Sequence, residues 1–584
     1  MTFEDLKKQA GRKHVDVVEI DMPTCSLTYG NSPCAAALGA TGSTKCYNTY
    51  RTCQDTANYA RTTTTYRFIS NTSEVPQGVN ILPCIVSVSQ VPTRIDVDSI
   101  STRATVKVVF SDFPHHDRGV DPYVNDRNFD PSTQGTFWGK FKARHFFFVG
   151  RTIRLKHGFI NPNGFDTSFD TDFETREYII ESVDGVDSNG RVTLTAKDIL
   201  TLANPEKAKA PIASEGKLDG DITNSDTSIT LDDASGYSTS GIVRIGDELI
   251  TYTGISTNTL TGCTRGTNNT AADEHSSGDG VQECLSYSAE DIRDIIEDLL
   301  VNYANVSSSY IDRTVWDAES ALDLFNLTTI ITEPTGVNDL LRELTRQSNS
   351  NLWWDDRQQQ IRLKPITTPL ASEVVKVLSD ENVLENSVKI VDDRKARRSR
   401  VTVYYGIRDY TKDLDETSNY LKVAINIDAT SESEDEYGVV ADEQIYSRWI
   451  PTDAIANDLI SRMLTRLKDT PKRVTFAVDA KDNEISTGDL VYFSSREVQT
   501  PTGLKDTQLY IVTEEKRSKV GDNTVYEAIQ FNTGLSSVSP VAYLIADNAQ
   551  VDYTSASDSE KSTYCFISNN SGQMSNGDDG YKIA

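Results

Sequence analysis

The chain has 584 residues, 37% of them hydrophobic and 8% aromatic, which exceeds what one core usually organises and predicts about three to five domains. Its 8 cysteines are too sparse for a disulfide scaffold, and no run of about 18 apolar residues marks a membrane-spanning segment. The formal charge of −28 argues against specific nucleic-acid binding, because phosphate contacts depend on Lys and Arg releasing counterions; acidity suits a soluble surface and equally a channel wall past which DNA slides.

The N-terminus MTFEDLKKQAGRKH lacks the apolar stretch of a signal peptide, so synthesis and retention in a cytoplasm are expected. A short polar helix is expected over Phe3 to Gln9. Residues 15 to 60 are rich in Cys, Gly, Thr and Tyr without sustained apolar periodicity, and read as a loop-rich module tied by something other than a core. From about Val86 the pattern turns to β: Val106 and Val108 share one face of an alternating segment, and similar runs recur to Thr195. Residues 205 to 285 open on the Pro/Ala/Lys-rich ANPEKAKAPIASEG and continue through short strands near Ile242 to Ile245 and Glu248 to Thr253, punctuated by Gly and Asn turns. They read as a small inserted β-domain.

A helix follows, with Ser288 and Asp291 in a capping arrangement and Ile292, Ile295, Ile296, Leu299 and Leu300 on one face. A second is expected over Val337 to Gln347, ahead of strands from Leu352 to Trp354 and Ile361 to Lys364, an α+β segment. Strands return at Arg400 to Tyr405 and Tyr420 to Ile427. A helix from about Asp453 to Lys468 is stopped by Pro471, and Val474, Phe476 and Val478 resume the sheet. The Ser/Asn/Gly-rich tail from about Ser555 is expected to lie on a surface or a partner.

Cys25, Cys34, Cys46 and Cys53 fall within 29 residues, spaced C-x8-C-x11-C-x6-C. Four soft thiolates on a backbone free to curl suit a cubane iron–sulfur cluster, one thiolate per iron. The spacing has neither the paired C-x2-C of structural zinc sites nor the ferredoxin run. On residue chemistry alone, zinc, disulfides and free core cysteines therefore stay open beside iron–sulfur, with disulfides disfavoured by a reducing cytoplasm. Cys84, Cys263, Cys284 and Cys565 read as small buried hydrophobes.

Other motifs are weaker. Gly39 to Lys45 echoes a phosphate loop without its Gly-Lys-Ser/Thr ending. Asp166, Asp170, Asp172 and Glu174 read as a solvated acidic loop more than a calcium site. His115 and His116 beside Asp112 and Asp117 read as a loop near a subunit contact more than metal ligands. The basic run Arg394, Lys395, Arg397, Arg398 and Arg400 reads as an interface or solvated strand edge, and Glu432 to Glu436 as an exposed loop tip. No H-E-x-x-H, G-x-S-x-G or nucleophile–base pattern nominates an enzyme, and scattered carboxylates do not nominate a glycosidase.

The wording CSLTYGNSPCAAALGATGSTKCYNTYRTCQDTANY resembles the cysteine-rich module of tail-tip hub proteins from long non-contractile-tailed phages and gene transfer agents. The resemblance continues through VPTRIDVDSISTRATVKVVFSDFPHHDRGVDPYVNDR, GTFWGKFKARHFFFVGRTIRLKHG and TGISTNTLTGCTRGTNNTAADEHSSGD, then LLRELTRQSNSNLWWDDRQQQIRLKPI and DTPKRVTFAVDAKDNEISTGDLV. It implies a mainly β, multidomain hub with α+β parts. The expected ranges are 1–65 (iron–sulfur module), 66–204 (tube-like β-barrel domain), 205–286 (inserted β-domain), 287–375 (α+β domain), 376–545 (second tube-like domain with helix) and 546–584 (a tail contacting partners).

The resemblance also implies a [4Fe-4S] cluster on Cys25, Cys34, Cys46 and Cys53, a homotrimer, and a virion tail-tip or baseplate location after assembly in the bacterial cytoplasm. Implied partners are the distal tail protein, the tape-measure protein and a tip fibre or receptor-binding proteins, with the genome passing through the channel. A structural, non-enzymatic hub is the expected function. A receptor-binding adhesin and a tail-associated wall-degrading enzyme are the alternatives.

Overall fold

The structure, a computed structural model, describes residues 13–70, 73, 80–95, 101, 103–130, 132–160, 173–204, 206–367, 373–500, 502–517, 523–531, 565–567 and 581–583. The expected helix at Phe3 to Gln9, most of the C-terminal tail and the loop holding Asp166, Asp170 and Asp172 lie outside these residues. The chain is mainly β with α+β parts, as its patterning predicts.

Seven strands close into a barrel: β1 (Lys13–Cys25), β2 (Arg61–Ser70), β3 (Leu82–Val91), β4 (Thr105–Ser111), β5 (Thr152–Ile160), β6 (Glu174–Gly185) and β7 (Arg191–Lys197). Their order is β1-β2-β3-β4-β7-β6-β5, with β5 returning to β1. Only the β2–β3 pair is parallel. Alternation makes the wall: Val106, Val108 and Phe110 of β4 and Val192, Leu194 and Ala196 of β7 point into one core while their neighbours face out. The strand β1 was not expected, and the boundary read at residue 65 falls inside β2.

The helix Phe137–Arg144 packs into the barrel core by Phe137, Trp138 and Phe141. The Trp138 ring stacks on Phe68 at 5.3 Å. Asp112 caps this helix, its carboxylate accepting the Trp138 N–H at 2.8 Å. Just beyond the helix, His145 is buried against the Phe141 ring at 4.7 Å.

The inserted domain has two three-stranded sheets and a core of its own, built from Leu218, Ile229, Val243, Ile250, Leu260 and neighbours. Its buried acid, Glu248, receives Arg265 at 2.7 Å and His275 at 2.8 Å. The central layer gathers the helices Ile292–Asp298, Val337–Gln347 and Asp453–Leu467 with the hairpin Ser350–Asp355/Gln360–Pro365. Asp291, not Ser288, caps the first helix by accepting the Arg293 N–H; Ser288 lies inside the strand Leu285–Asp291, which pairs with Asn326–Ile331. The helix continues as a π turn over Leu299–Tyr303.

A six-stranded sheet follows, in the order Val374–Leu378, Leu490–Gln499, Lys505–Arg517, Thr524–Gln530, Lys472–Val478, Lys389–Asp392. The strands Arg400–Ile407, Tyr420–Ile427 and Asp442–Tyr446 form a separate sheet. Val401, Val403 and Ile445 join the central core beside the helix Asp453–Leu467. Residues 376–545 thus supply two layers.

Barrel, central hairpin and six-stranded sheet meet at a buried charge network. Arg176 of β6 reaches Asp356 at 3.1 Å and Glu515 at 3.2 Å; Arg357 reaches Glu515 at 2.7 Å; Arg517 reaches Glu174 at 2.9 Å. The Tyr178 hydroxyl donates to Asp356 at 3.0 Å. Removing one partner from such a pair strands a charge, at about 3–5 kcal/mol. Arg176→Met is therefore expected to lower the stability of the folded chain by about that amount, read as a drop in denaturant midpoint.

Burial, with Arg144 and Arg151 nearby, pushes the His145 imidazole down to about 4 from 6.5. The unfolded chain therefore takes up a proton between these values while the folded chain does not, so stability falls as pH drops from 6.5 to 4. The loss is on the order of 3 kcal/mol. In His145→Phe that part of the pH dependence should vanish, seen in thermal melts across pH 4 to 6.5.

Candidate metal centre

Between β1 and β2 the chain leaves the barrel wall for residues 26–60, and the four clustered cysteines sit at and within this excursion. Cys25 ends β1 opposite Arg61 of β2, and its N–H donates to the Asn48 carbonyl at 2.7 Å. The Cys34 N–H donates to the Asn31 carbonyl at 2.8 Å, and the Cys53 N–H to the Tyr50 carbonyl at 3.1 Å behind the 3-10 turn Tyr50–Thr52. Asn48 adopts the left-handed conformation, φ +55°, which its short side chain tolerates.

Polar ties do much of the work of a core here. Gln54 accepts from the Tyr29 hydroxyl at 2.8 Å and the Thr41 hydroxyl at 3.0 Å, and donates to the Thr44 carbonyl at 2.7 Å. A Cβ on Gly42 would come within 2.5 Å of the Gln54 amide, so a larger residue there would push that amide aside and disturb these bonds. Arg127, paired with buried Asp121, donates to the carbonyls of Lys45 at 2.8 Å and Cys46 at 2.7 Å. Tyr47 contacts two guanidinium groups, Arg127 at 3.8 Å and Arg144 at 3.9 Å from its ring centroid.

Cys25, Cys34, Cys46 and Cys53 are free, half-buried thiols that line a single hollow of about 340 Å³, its mouth included. Leu27, Tyr29, Ala36 and Tyr59 complete its apolar side, and no Lys, Arg or His lines it. Burial pushes the Cys46 and Cys53 thiols up, and the neighbouring cysteines push them further. Four thiolates in this wall therefore need positive charge at their centre, which a metal group supplies when bound.

Among the described residues no three His, Cys, Asp or Glu side chains converge to hold one metal ion; the four thiols instead surround a shared space. Four soft sulfur donors around one hollow fit a thiolate-ligated metal group. The buried Tyr59 hydroxyl finds no hydrogen-bond partner among the described residues, and Tyr59 lines this hollow. Tyr59, Arg127 and Gln54 were not singled out in the sequence.

The remaining sequence-level candidates separate. His115 accepts the Asp117 N–H at 3.1 Å, and Asp117 is held by Lys140 at 2.8 Å and Arg144 at 2.7 Å; this is a local ion-pair cluster beside the barrel helix. Glu174 belongs to the buried charge network. Three members of the basic run are tied internally. Arg397 is buried and donates to the carbonyls of Val439 and Ser431, Arg398 pairs with Glu443 at 2.7 Å, and Arg400 pairs with Glu432 at 3.1 Å. Glu432 is thus a strut and not part of a free loop tip. Cys84 and Cys263 are buried, Cys284 is half-buried, and burial pushes Cys84 and Cys284 up to about 12.

No protein-family model matches the chain, and no curated protein matches it. Among solved structures it is similar to a tail protein from Neisseria meningitidis MC58, at 9% identity over 76% of this chain and 93% of that one, TM-score 0.37. It is also similar to the 43 kDa tail protein of prophage MuSo2 from Shewanella oneidensis, at 8% identity over 76% and 97%, TM-score 0.34. A chain of a native gene transfer agent virion is similar at 16% identity over 37% and 43%, TM-score 0.26.

Arg127→Ala removes the donor to the Lys45 and Cys46 carbonyls and strands buried Asp121. Amide exchange over residues 40–55 is expected to rise at least about tenfold while the protection of β4 and β7 is retained.

Proposed function

We propose that this chain is a non-enzymatic structural hub at the distal tip of a phage-type tail. In this reading it forms a homotrimer that closes the tail tube and joins it to the distal tail protein, the tape-measure protein and a tip fibre or receptor-binding proteins. Cys25, Cys34, Cys46 and Cys53 would hold a [4Fe-4S] cluster that fastens residues 26–60 to the barrel. The observation that carries the reading is the meeting of four free thiols around one cation-free hollow on a loop with few buried apolar residues.

Three further points support it. The cysteine-bearing wording resembles that of tail-tip hub modules. The loop's polar ties leave a segment that metal–thiolate bonds can order where burial does not. The barrel beside it, with its core filled by side chains, suits a framework role.

Anaerobic purification of the full chain should return iron and acid-labile sulfide at about four each, with broad visible absorption. Cys46→Ser should lose both and, in assembling particles, lose tail-tip incorporation. Zinc at one equivalent, or no metal in fresh anaerobic protein, would refute the cluster; infectious particles carrying a clusterless hub would refute its role as a fastener.

A further inference from the structure

Thr49 and Tyr59 form a wall shared with a second and larger hollow, about 830 Å³ with its mouth, between the cysteine loop and the segment after the barrel helix. Four arginines line it. Arg144 is engaged, pairing with Asp117 at 2.7 Å and covering Tyr47. Arg51, Arg61 and Arg151 have no carboxylate partner among the described residues. The Arg151 side chain donates to the Phe147 carbonyl at 3.0 Å, and Arg51 lies 5.7 Å over the Phe146 ring.

This arrangement is unusual for a chain with 86 acidic and 58 basic residues. Many arginines elsewhere in the fold pair with carboxylates, Arg398 with Glu443 and Arg400 with Glu432 among them. Here like charges gather instead, and the Arg151 guanidinium is pulled below its ordinary value by burial and by Arg61. An anion arriving in the hollow relieves that repulsion and gains paired hydrogen bonds.

The rim narrows the class of anion. Phe146 is 68% exposed, Tyr50 59% and Phe147 54%, three large apolar rings around one cationic hollow. A free phosphate would leave those rings in water. A polypeptide offers carboxylates and an apolar side chain together.

We propose that this hollow docks an acidic polypeptide segment of a partner protein, its carboxylates on Arg51, Arg61 and Arg151 and an aromatic or aliphatic side chain against Phe146 and Phe147. The site stands on the arginines and the rim and does not depend on what the thiols hold.

The test is a fluorescence titration of the full chain with a labelled peptide of roughly ten residues composed of Glu, Phe and Gly, beside a counterpart with Gln for every Glu. The Glu peptide should bind, and the Gln peptide should bind at least about tenfold more weakly. The double variant Arg61→Gln/Arg151→Gln should weaken the Glu peptide by a similar factor. Arg51→Gln, at an exposed position, should weaken it severalfold; circular dichroism checks that each variant keeps the wild-type fold. Equal binding of the two peptides, no binding, or unchanged binding to folded variants would overturn the proposal. So would displacement of the Glu peptide by a short DNA duplex more effectively than by unlabelled peptide, which would assign the hollow to nucleic acid.

Discussion

The arrangement of the barrel, the central hairpin and the six-stranded sheet depends on one buried cluster of charges. Three carboxylates, Glu174, Asp356 and Glu515, meet three guanidinium groups, Arg176, Arg357 and Arg517, so the cluster is neutral as a whole. Desolvation works against every member: burial pushes Glu515 up, whereas at Glu174 burial is overcome by Arg176 and Arg357, which hold its carboxyl down to about 2. An apolar seam of equal area would be at least as stable. What the charges add is geometry, since each carboxylate accepts only in fixed directions and the three layers must be in register for all to be satisfied. Neighbouring contacts repeat that register: Ile95 donates to the Thr513 carbonyl at 2.9 Å, and the Trp354 indole donates to the Glu177 carbonyl at 3.2 Å.

The cysteine loop follows the opposite logic. It is fastened to the barrel by polar groups at its margins, chiefly Arg127 and the backbone of Cys25, and cross-tied within itself by Gln54, while its middle faces a space lined by thiols. Polar ties of this kind each contribute about 1 kcal/mol net, modest against the entropy of ordering 35 residues of loop, counted from 26 to 60. Bonds from four sulfurs to a shared group would supply order that neither burial nor these ties provide.

Elements were legible where a single period ran uninterrupted between clear stops. The helix Val337–Gln347 and the strand Tyr420–Ile427 coincide with their sequence readings, and Asp453–Leu467 ends one residue short of its own. The strand β1 was hidden because its start lies in polar sequence and its end carries a cysteine that reads as part of the loop. The cap at Ile292 was misplaced because Ser288 fits a capping box, yet pairing with Asn326–Ile331 keeps the chain extended through Asp291. The four thiols were legible as a group because they are close in sequence. The charge network was not, since Arg176, Asp356 and Glu515 are separated by well over a hundred residues and each looks like an ordinary surface charge in its own segment. The compensation of Arg400 by Glu432 was missed for the same reason, on a smaller scale.

The contrast between these arginines and those around the second hollow is the more informative for what the surface does. A strongly acidic chain has carboxylates to spare, so an arginine left without one reflects placement and not scarcity. Arg61 begins β2 directly opposite Cys25, and Arg51 lies in the 3-10 turn that presents Cys53. The same short elements that set the thiols in place therefore set the arginines outward, with Tyr59 and Thr49 between the two hollows. Any change that orders the loop around the thiols also fixes the wall against which an acidic segment would bind, so the two sites share one scaffold even though their chemistries are independent.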